Sequence, residues 1–325
     1  MPKISKPREG SLAYWPRKRT KKFLPRVNWD NLSPVALKNN KKGLLGFICY
    51  KSAMVSVLVK DNTQHSMTKG KNIIVPCSIL SCPPIKIFSL RFYKDGKVIS
   101  EINVSNDKEL KKKLKLTKKQ INVEEKIKEL KEKADDLRVI VYSLVKREFK
   151  KTPDLSEIAV SSSNLDEKIE YVKKFIGKEI RINDIFNKNE LIDIHGLTKG
   201  KGLVGPVKRF GLGLKFHKTE KGVRGPGTLG PWTPSRVTFR APLAGQLGMF
   251  TRAEYNKKIV EINDIKKEDI NLKKGFENYG LIKTDFLILK GSVSGPEKRQ
   301  LIITSPLRKT KSTEKENFEY IRILN

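Results

Sequence analysis

Residues 195–258 have the composition of a long irregular segment, which limits what this chain can fold into. They hold 12 of the 22 glycines and 13 Lys or Arg, against two acids, Glu220 and Glu254. Gly and Pro interrupt helices and central strands, so we expect no regular core element here. Segments this long without secondary structure are usually functional or disordered. Aromatic side chains spread along the segment argue against disorder: Phe210, Phe216, Trp232, Phe239 and Phe250.

The net charge points to a polyanionic partner. The 325 residues contain 68 Lys or Arg and 35 Asp or Glu, a formal charge of +33. A compact fold with this charge repels itself unless a polyanion neutralises it. Nucleic acid is the first candidate, because cations near phosphates release counterions. An anionic membrane surface is the second candidate, and a merely basic soluble protein is the third.

Cysteine usage and the N-terminus indicate a soluble protein of a reducing compartment, and we expect it in the cytoplasm. Three cysteines, Cys49, Cys77 and Cys82, are too few for a disulfide framework. Cys77 and Cys82 lack the second pair that a zinc site needs, so we expect buried free thiols and no metal. The N-terminus has no apolar signal core, and the apolar runs are too short to span a bilayer.

The rest of the chain is predicted to be mainly β with a helical insertion. Short Ile-, Val- and aromatic-rich runs lie in 43–61, where we expect two strands, and in 72–104. Their spacing suggests a barrel or a sandwich. Apolar residues at helical spacing predict helices in 122–137 and 164–177, on either side of a strand at 137–145.

Further strands are expected toward the end of the chain. The strand candidates lie within 190–198, 257–263, 281–292 and 299–306. Residues 1–30 are rich in Lys, Arg, Pro and aromatics and lack apolar periodicity, which predicts an extended arm. The alternative is a solvated tail. The C-terminus is polar but ends in apolar residues, so we expect it to dock.

Trp232 lies in the stiff basic stretch RGPGTLGPWTPSRV, 224–237. The aromatic ring would stack on an RNA base, and the flanking arginines would meet phosphates. The alternatives are packing of Trp232 against Pro231, Pro234 or the arm, and a solvated face for the arginines. Gln246 would hydrogen-bond either RNA or its own loop.

Enzymatic motifs are weak. The segment 200–205 matches the dinucleotide pattern G-x-G-x-x-G, but Pro206 follows where a helix should begin, and the required acid is missing. The same pattern at 225–230 is followed by Pro231. His195 is expected to contact phosphate or to cap rather than to act in acid–base chemistry. We expect no cofactor and no catalytic residue.

Five stretches resemble the family of the third protein of the large ribosomal subunit, in its archaeal and eukaryotic branch. They are PREGSLAYWPRKR (7–19), HGLTKGKGLVGPVKRFG (195–211), GTLGPWTPSRV (227–237), AGQLGMFTRAEYNKKIVEI (244–262) and GSVSGPEKRQLIITSPLRK (291–309). The resemblance spans nearly the whole chain and is weakest in 105–180. One departure is Glu220, which stands where some relatives carry a modified His, so no such mark is expected.

The resemblance implies a six-stranded β-barrel of the type found in translation elongation factors, with an α-helical insertion and two long irregular extensions that penetrate RNA. The expected division is a basic arm at 1–43, a discontinuous barrel, the insertion at 105–177, the extension at 200–257 and a tail at 306–325. The barrel comprises 44–104, 178–199 and 258–305.

The resemblance also implies a structural, non-enzymatic role on the ribosome, early in assembly. The Trp232 fingertip would shape the peptidyl transferase centre and the path by which aminoacyl-tRNA enters. The expected partners are large-subunit rRNA and neighbouring proteins, notably protein fourteen, with no membrane and no homo-oligomer. The candidate rRNA-binding residues are Arg8, Arg17, Lys18, Arg19, Lys199, Lys201, Lys208, Arg209, Lys221, Arg224, Trp232, Arg236, Arg240, Gln246 and Arg252.

Two other functions remain open from the sequence. An RNA-modifying enzyme would also be basic, but it needs a cofactor pocket or a catalytic carboxylate. A free RNA chaperone would bind in a salt-labile, sequence-tolerant way without joining a subunit.

Overall fold

The computed structural model describes residues 11–116 and 122–324. The strands, in chain order, are β1 (Gly43–Leu44), β2 (Gly46–Asp61), β3 (Asn72–Cys82), β4 (Ile85–Lys94), β5 (Lys97–Asn103), β6 (Asp136–Ser143), β7 (Leu155–Ser161), β8 (Leu191–Leu197), β9 (Gly202–Val204), β10 (Gly245–Leu247), β11 (Thr251–Asn263), β12 (Asp285–Lys290), β13 (Gln300–Thr304) and β14 (Phe318–Leu324). The α-helices are α1 (Trp29–Lys38), α2 (Val123–Lys131), α3 (Leu165–Phe175), α4 (Pro206–Phe210) and α5 (Lys311–Lys315). The prediction of a mainly β protein with a few helices is confirmed.

The chain divides into two compact units. The extension unit comprises 11–21 and Thr198–Thr251, and the body comprises Lys22–Leu197 and 252–324. Among the helices that the structure describes, none has both the length and the apolar character needed to cross a membrane.

The larger sheet of the body contains seven strands in the order β13-β8-β11-β12-β3-β2-β14. The long strand β2 pairs along one part with β13 and along another with β14. Because β13 also pairs with β8, six of the strands form a closed ring, and β14 lies outside it. Closure leaves the ring without free edges, which removes the usual template for edge-to-edge association.

The second sheet contains five strands in the order β1-β7-β6-β4-β5. The expected division places β4 and β5 in the barrel and β6 in the insertion, whereas the structure pairs all three in one sheet. Residues 105–177 supply β6 and β7 as well as α2 and α3, so this region is mixed rather than purely helical. Alternation of side chains predicts that a strand forms but not which sheet it joins, so the sequence could not resolve this.

Helix α1 begins at Trp29, inside the region 1–30 that was predicted to be an extended arm. Asn28 caps the helix by accepting a hydrogen bond from the Asn31 backbone. Trp29, Leu32 and Ala36 lie on one face of the helix and are at most 3% exposed in the body core. A region boundary at residue 30 lies inside the helix, so the apolar stripe is not visible within residues 1–30.

Several other predicted elements are confirmed or corrected. The helices expected in 122–137 and 164–177 are α2 and α3, and α3 ends before Gly177, which has φ of +76°. The two short strands expected in 43–61 are mainly one strand, β2, whose pairing shifts between Lys51 and Ala53. The apolar C-terminus docks as β14, where Phe318 is buried.

Candidate nucleic-acid interface

The extension unit concentrates cations with almost no acid. Residues 198–251 contain ten Lys or Arg and one acid, Glu220. Two short antiparallel strands, β9 and β10, form the root of the extension and pair Leu203 with Gln246. The expectation of a wholly irregular segment is therefore wrong at the root, whereas the tip has no regular structure.

Most of the predicted cations are exposed and lack acidic partners. In the part of the chain that the structure describes, none of the following forms an ion pair: Lys18, Arg19, Lys199, Lys201, Lys208, Lys221, Arg224, Arg236 and Arg240. Body arginines differ, since Arg91 pairs with Glu101 and Glu157. The extension thus keeps its positive field available to an external anion.

Two glycines fix the backbone at the root. Gly248 has φ of +78°, and a Cβ there would come within 2.0 Å of the Lys199 carbonyl oxygen. A side chain on Gly245 would come within 2.8 Å of the Arg209 guanidinium carbon. The close approach of Gly248 to the Lys199 backbone therefore requires glycine, whereas a side chain on Gly245 would displace the Arg209 guanidinium.

Arg17 and Arg209 connect the arm to the root of the extension. Arg17 Nη1 donates to the Arg209 carbonyl at 2.7 Å, and Arg209 Nη2 reaches the Arg17 carbonyl at 3.5 Å. Arg209 also donates through Nε to the Gln246 carbonyl at 3.0 Å and through Nη1 to the Leu243 carbonyl at 2.9 Å. Burial and the nearby Arg17 lower the pKa of Arg209. Arg209 is thus committed to backbone carbonyls.

Aromatic rings surround this pair of arginines. Trp15 lies 5.4 Å from Phe210 and 6.2 Å from Phe239, measured between ring centroids. The Arg17 guanidinium carbon is 4.5 Å from the Phe210 centroid and 5.2 Å from the Trp15 centroid. Phe210, one of the aromatics spread along the extension, therefore packs against Trp15 of the arm.

The tip of the extension is open to solvent. Trp232 is 94% exposed, and every residue in 227–240 is exposed. The alternative in which Trp232 packs against its own loop or the arm is therefore not adopted in this structure. A shallow groove of about 380 Å³ beside the ring is lined by Pro231, Pro234 and Arg236. An exposed aromatic with a neighbouring cation can stack on a base and meet its phosphate.

The remaining predicted site residues have mixed positions. The Gln246 side-chain amide donates to the Leu247 carbonyl at 3.3 Å and the Gly248 carbonyl at 3.1 Å, so it bonds to its own loop. Arg252 is half-buried on β11 in the body. Arg8 lies outside the described residues.

The expectation that Pro206 prevents a helix from beginning there is wrong. α4 begins at Pro206, which occupies the first helical position, where a missing N–H costs nothing. The helix is only five residues long, and the acid that a dinucleotide site requires is still missing.

The other chemically reactive side chains are in the body and are structural. His195 is a β8 residue whose Nε2 is 3.2 Å from the Thr304 hydroxyl, and burial lowers its pKa. It therefore contacts a neighbouring strand rather than an external phosphate. The three cysteines are free and buried as predicted, and burial raises the pKa of each thiol. Over residues 11–116 and 122–324, no cluster of His, Cys, Asp and Glu could hold a metal ion.

Exposed cations and aromatics on a glycine- and proline-shaped extension are the pattern of a nucleic-acid-binding protein. The chain belongs, within that class, to the ribosomal protein L3 family, whose sequence model matches residues 1–322. The resemblance inferred from the five stretches is confirmed.

Archaeal relatives match over nearly the full length. The large ribosomal subunit protein uL3 of Methanococcus vannielii is 40% identical over 317 residues, which covers 94% of this chain and 92% of the relative. The protein of the same name from Methanocaldococcus jannaschii is 38% identical with the same coverage. That from Methanothermobacter thermautotrophicus is 35% identical over 336 residues and covers 99% of this chain and 98% of the relative.

Proposed function

We propose that the chain is a structural constituent of the large ribosomal subunit and that its arm and extension bind large-subunit rRNA. The observation that carries this proposal is the exposed Trp232, on a tip whose cations have no acidic partners in the described chain. Family membership supports the ribosomal assignment. The relatives are named large ribosomal subunit protein uL3, which favours a non-enzymatic role.

The body would serve as the anchor for these extensions. We propose that its closed ring of six strands is a barrel of the elongation-factor type, and the sheet order supports this assignment. Residues 200–257 are the proposed rRNA-penetrating extension. The body would hold the extension root at a fixed place in the subunit, in the ribosomes of the cytoplasm.

Binding would combine stacking with charge neutralisation. Trp232 would stack on a base, a contact worth ~1–3 kcal/mol. Cations along the arm and extension would meet phosphates and thereby release counterions. The proposed phosphate-binding residues are Arg8, Lys18, Arg19, Lys199, Lys201, Lys208, Lys221, Arg224, Arg236, Arg240 and Arg252. For Arg17, Arg209 and Gln246, the bonds to backbone carbonyls support a positioning role instead.

The tip would act near the reaction without performing it. We propose that Trp232 shapes the peptidyl transferase centre and the path of incoming aminoacyl-tRNA, while the rRNA carries out the chemistry. Early binding during assembly fits an extension that must be enclosed by RNA. The proposed protein neighbour is protein fourteen of the large subunit.

Sedimentation of the tagged protein in high-salt sucrose gradients tests the proposal. We expect the protein to comigrate with the large subunit through a stringent wash, because RNA would enclose the arm and extension. Release by moderate salt would indicate surface electrostatics alone and would reject the proposal.

Replacing Trp232 with alanine tests the fingertip separately. The side chain is 94% exposed, so the substitution should change the free energy of unfolding by no more than about 0.5 kcal/mol. The melting temperature should therefore hardly move. Peptidyl transfer by subunits containing the variant should fall. Met67→Ala is the control, since Met67 is 99% exposed on the body. Full activity in both variants would contradict the fingertip role.

A further inference from the structure

The loop between β12 and β13 in the body is held in one conformation by a buried lysine. Lys51 is 7% exposed, and its Nζ donates to the carbonyls of Val293 at 2.5 Å and Gly295 at 3.1 Å. The Lys298 backbone N–H donates to the Lys51 carbonyl at 2.8 Å, and the Lys51 N–H donates to the Arg299 carbonyl at 3.0 Å. The loop is therefore continuous with the body core, and its backbone has a fixed conformation.

Gly295 makes this conformation possible. Its φ is +98°, and a Cβ would lie 2.8 Å from the Leu197 carbonyl oxygen and 2.9 Å from Arg299 Cγ. Lys298 also has a positive φ, of +64°. A tight, partly strained loop in a rigid setting is a common way to display functional side chains.

Among the described residues, none balances the charge of Arg299. Within the described residues its guanidinium has no carboxylate or carbonyl partner, and burial lowers its pKa. Its contact is the ring of Phe23, whose centroid is 5.3 Å from the guanidinium carbon. Arg91, another half-buried arginine of the body, pairs with Glu101 and Glu157. A half-buried guanidinium without a partner indicates a site for an external anion.

The surroundings of Arg299 suit a nucleotide. Phe23 is 53% exposed, and a shallow cavity of about 330 Å³ is lined by Phe23, Lys298, Arg299 and Glu297. Lys150 also lines it but is bound to Asp154. The Phe23 ring offers a stacking surface, and the two free cations offer a phosphate site.

Glu297 also lines this cavity. Its carboxylate can accept hydrogen bonds from a ribose 2′-hydroxyl or a base amino group, which are donors that RNA offers. We propose that Phe23, Lys298 and Arg299 form a second RNA site, on the body, which binds one unpaired nucleotide of the rRNA. This inference rests on the proposed rRNA binding and adds an RNA contact on the body, outside the extension unit.

The test measures binding of the full chain to transcribed large-subunit rRNA over a series of KCl concentrations. Phe23→Ala should weaken binding about fivefold or more at every salt concentration, because stacking is lost while charge is kept. Phe23→Trp should preserve affinity. Arg299→Gln should weaken binding and reduce the salt slope by about 0.7–0.9, the value of one phosphate contact.

Matched controls come from the body surface. Lys97→Gln removes an exposed cation from β5, and Met67→Ala removes an exposed apolar side chain. Neither should reproduce the effects of the site variants. Irradiation of the complex at a wavelength that RNA absorbs should also yield a nucleotide adduct at Phe23.

The outcomes separate the two proposals. If the unaltered chain binds but the Phe23 and Arg299 variants bind equally well and no adduct forms, this inference is rejected and the proposed function stands. If the unaltered chain does not bind the rRNA, both proposals fall.

Discussion

Cationic residues of the extension unit have different structural roles. Lys208 and Arg209 are neighbours in sequence, and both are cations in the stretch that predicted RNA binding. Lys208 is exposed, whereas Arg209 donates to the carbonyls of Leu243 and Gln246 and approaches that of Arg17. The sequence identifies the charge but not its partner, because Arg17 and Arg209 are 192 positions apart.

Arg209→Lys should disturb the arm without changing the number of phosphate contacts. Lysine keeps the charge but cannot match the geometry of three carbonyl partners, and each lost hydrogen bond costs about 1 kcal/mol. We expect weaker rRNA binding with an unchanged salt slope. Fluorine NMR of fluorotryptophan-labelled protein should show a shifted or broadened Trp15 resonance, while that of the buried Trp29 stays fixed.

Lys208→Gln provides the contrast to that substitution. It should reduce the salt slope by about 0.7–0.9 and leave the Trp15 resonance in place. If Arg209→Lys left the Trp15 resonance in place, the positioning role of Arg209 would be rejected.

At the scale of elements, local patterns predicted what forms but not how it assembles. Helices α2 and α3 follow from apolar spacing, and β8, β12 and β13 follow from short β-branched runs. The ring closure between β2 and β13 could not be predicted, because the pairing joins Gly46 to Thr304 across most of the chain. The strands β9 and β10 were not predicted, because each is three residues long and forty residues, irregular apart from α4, separate them.

Gly248→Ala should disrupt the root of the extension. The positive φ and the 2.0 Å approach to the Lys199 carbonyl leave no space for a methyl group, so the backbone must move. We expect trypsin to cut faster after lysines and arginines in residues 198–251, and rRNA binding to weaken. The melting temperature of the body should not change.

Gly230→Ala is the matched control for the root. A Cβ at Gly230 meets nothing within 4 Å, and its φ is not in the left-handed region. Trypsin should cut the Gly230→Ala variant at the same rate as the unaltered chain. Equal cutting rates for the two alanine variants would contradict the argument that Gly248 is required.

At the scale of the whole molecule, positive charge is distributed unevenly between the units. In the body, cations alternate with acids and many are paired, as Arg147 is with Glu179 and Arg181 with Asp264. In the extension segment of the other unit, Glu220 is the one acid against ten cations. The overall charge therefore correctly indicated a polyanion-binding class, but only the structure shows which side chains remain unpaired.

Replacing 212–242 with a short Gly/Ser linker should remove much of the salt dependence of rRNA binding. The replaced segment contains six Lys or Arg. At about 0.7–0.9 per phosphate contact, the slope should fall by roughly 4–5. The body should keep its melting temperature, as measured by circular dichroism. An unchanged slope would show that those cations do not contact phosphates.

The closed ring has a consequence for the order of events during synthesis. Strand β2 is complete after residue 61, but its partner β13 ends at Thr304, close to the end of the chain. The ring can therefore close only after almost the whole chain has left the exit tunnel, while the cationic arm and extension emerge earlier. During this interval the basic segments would be exposed to any RNA nearby before the body is complete.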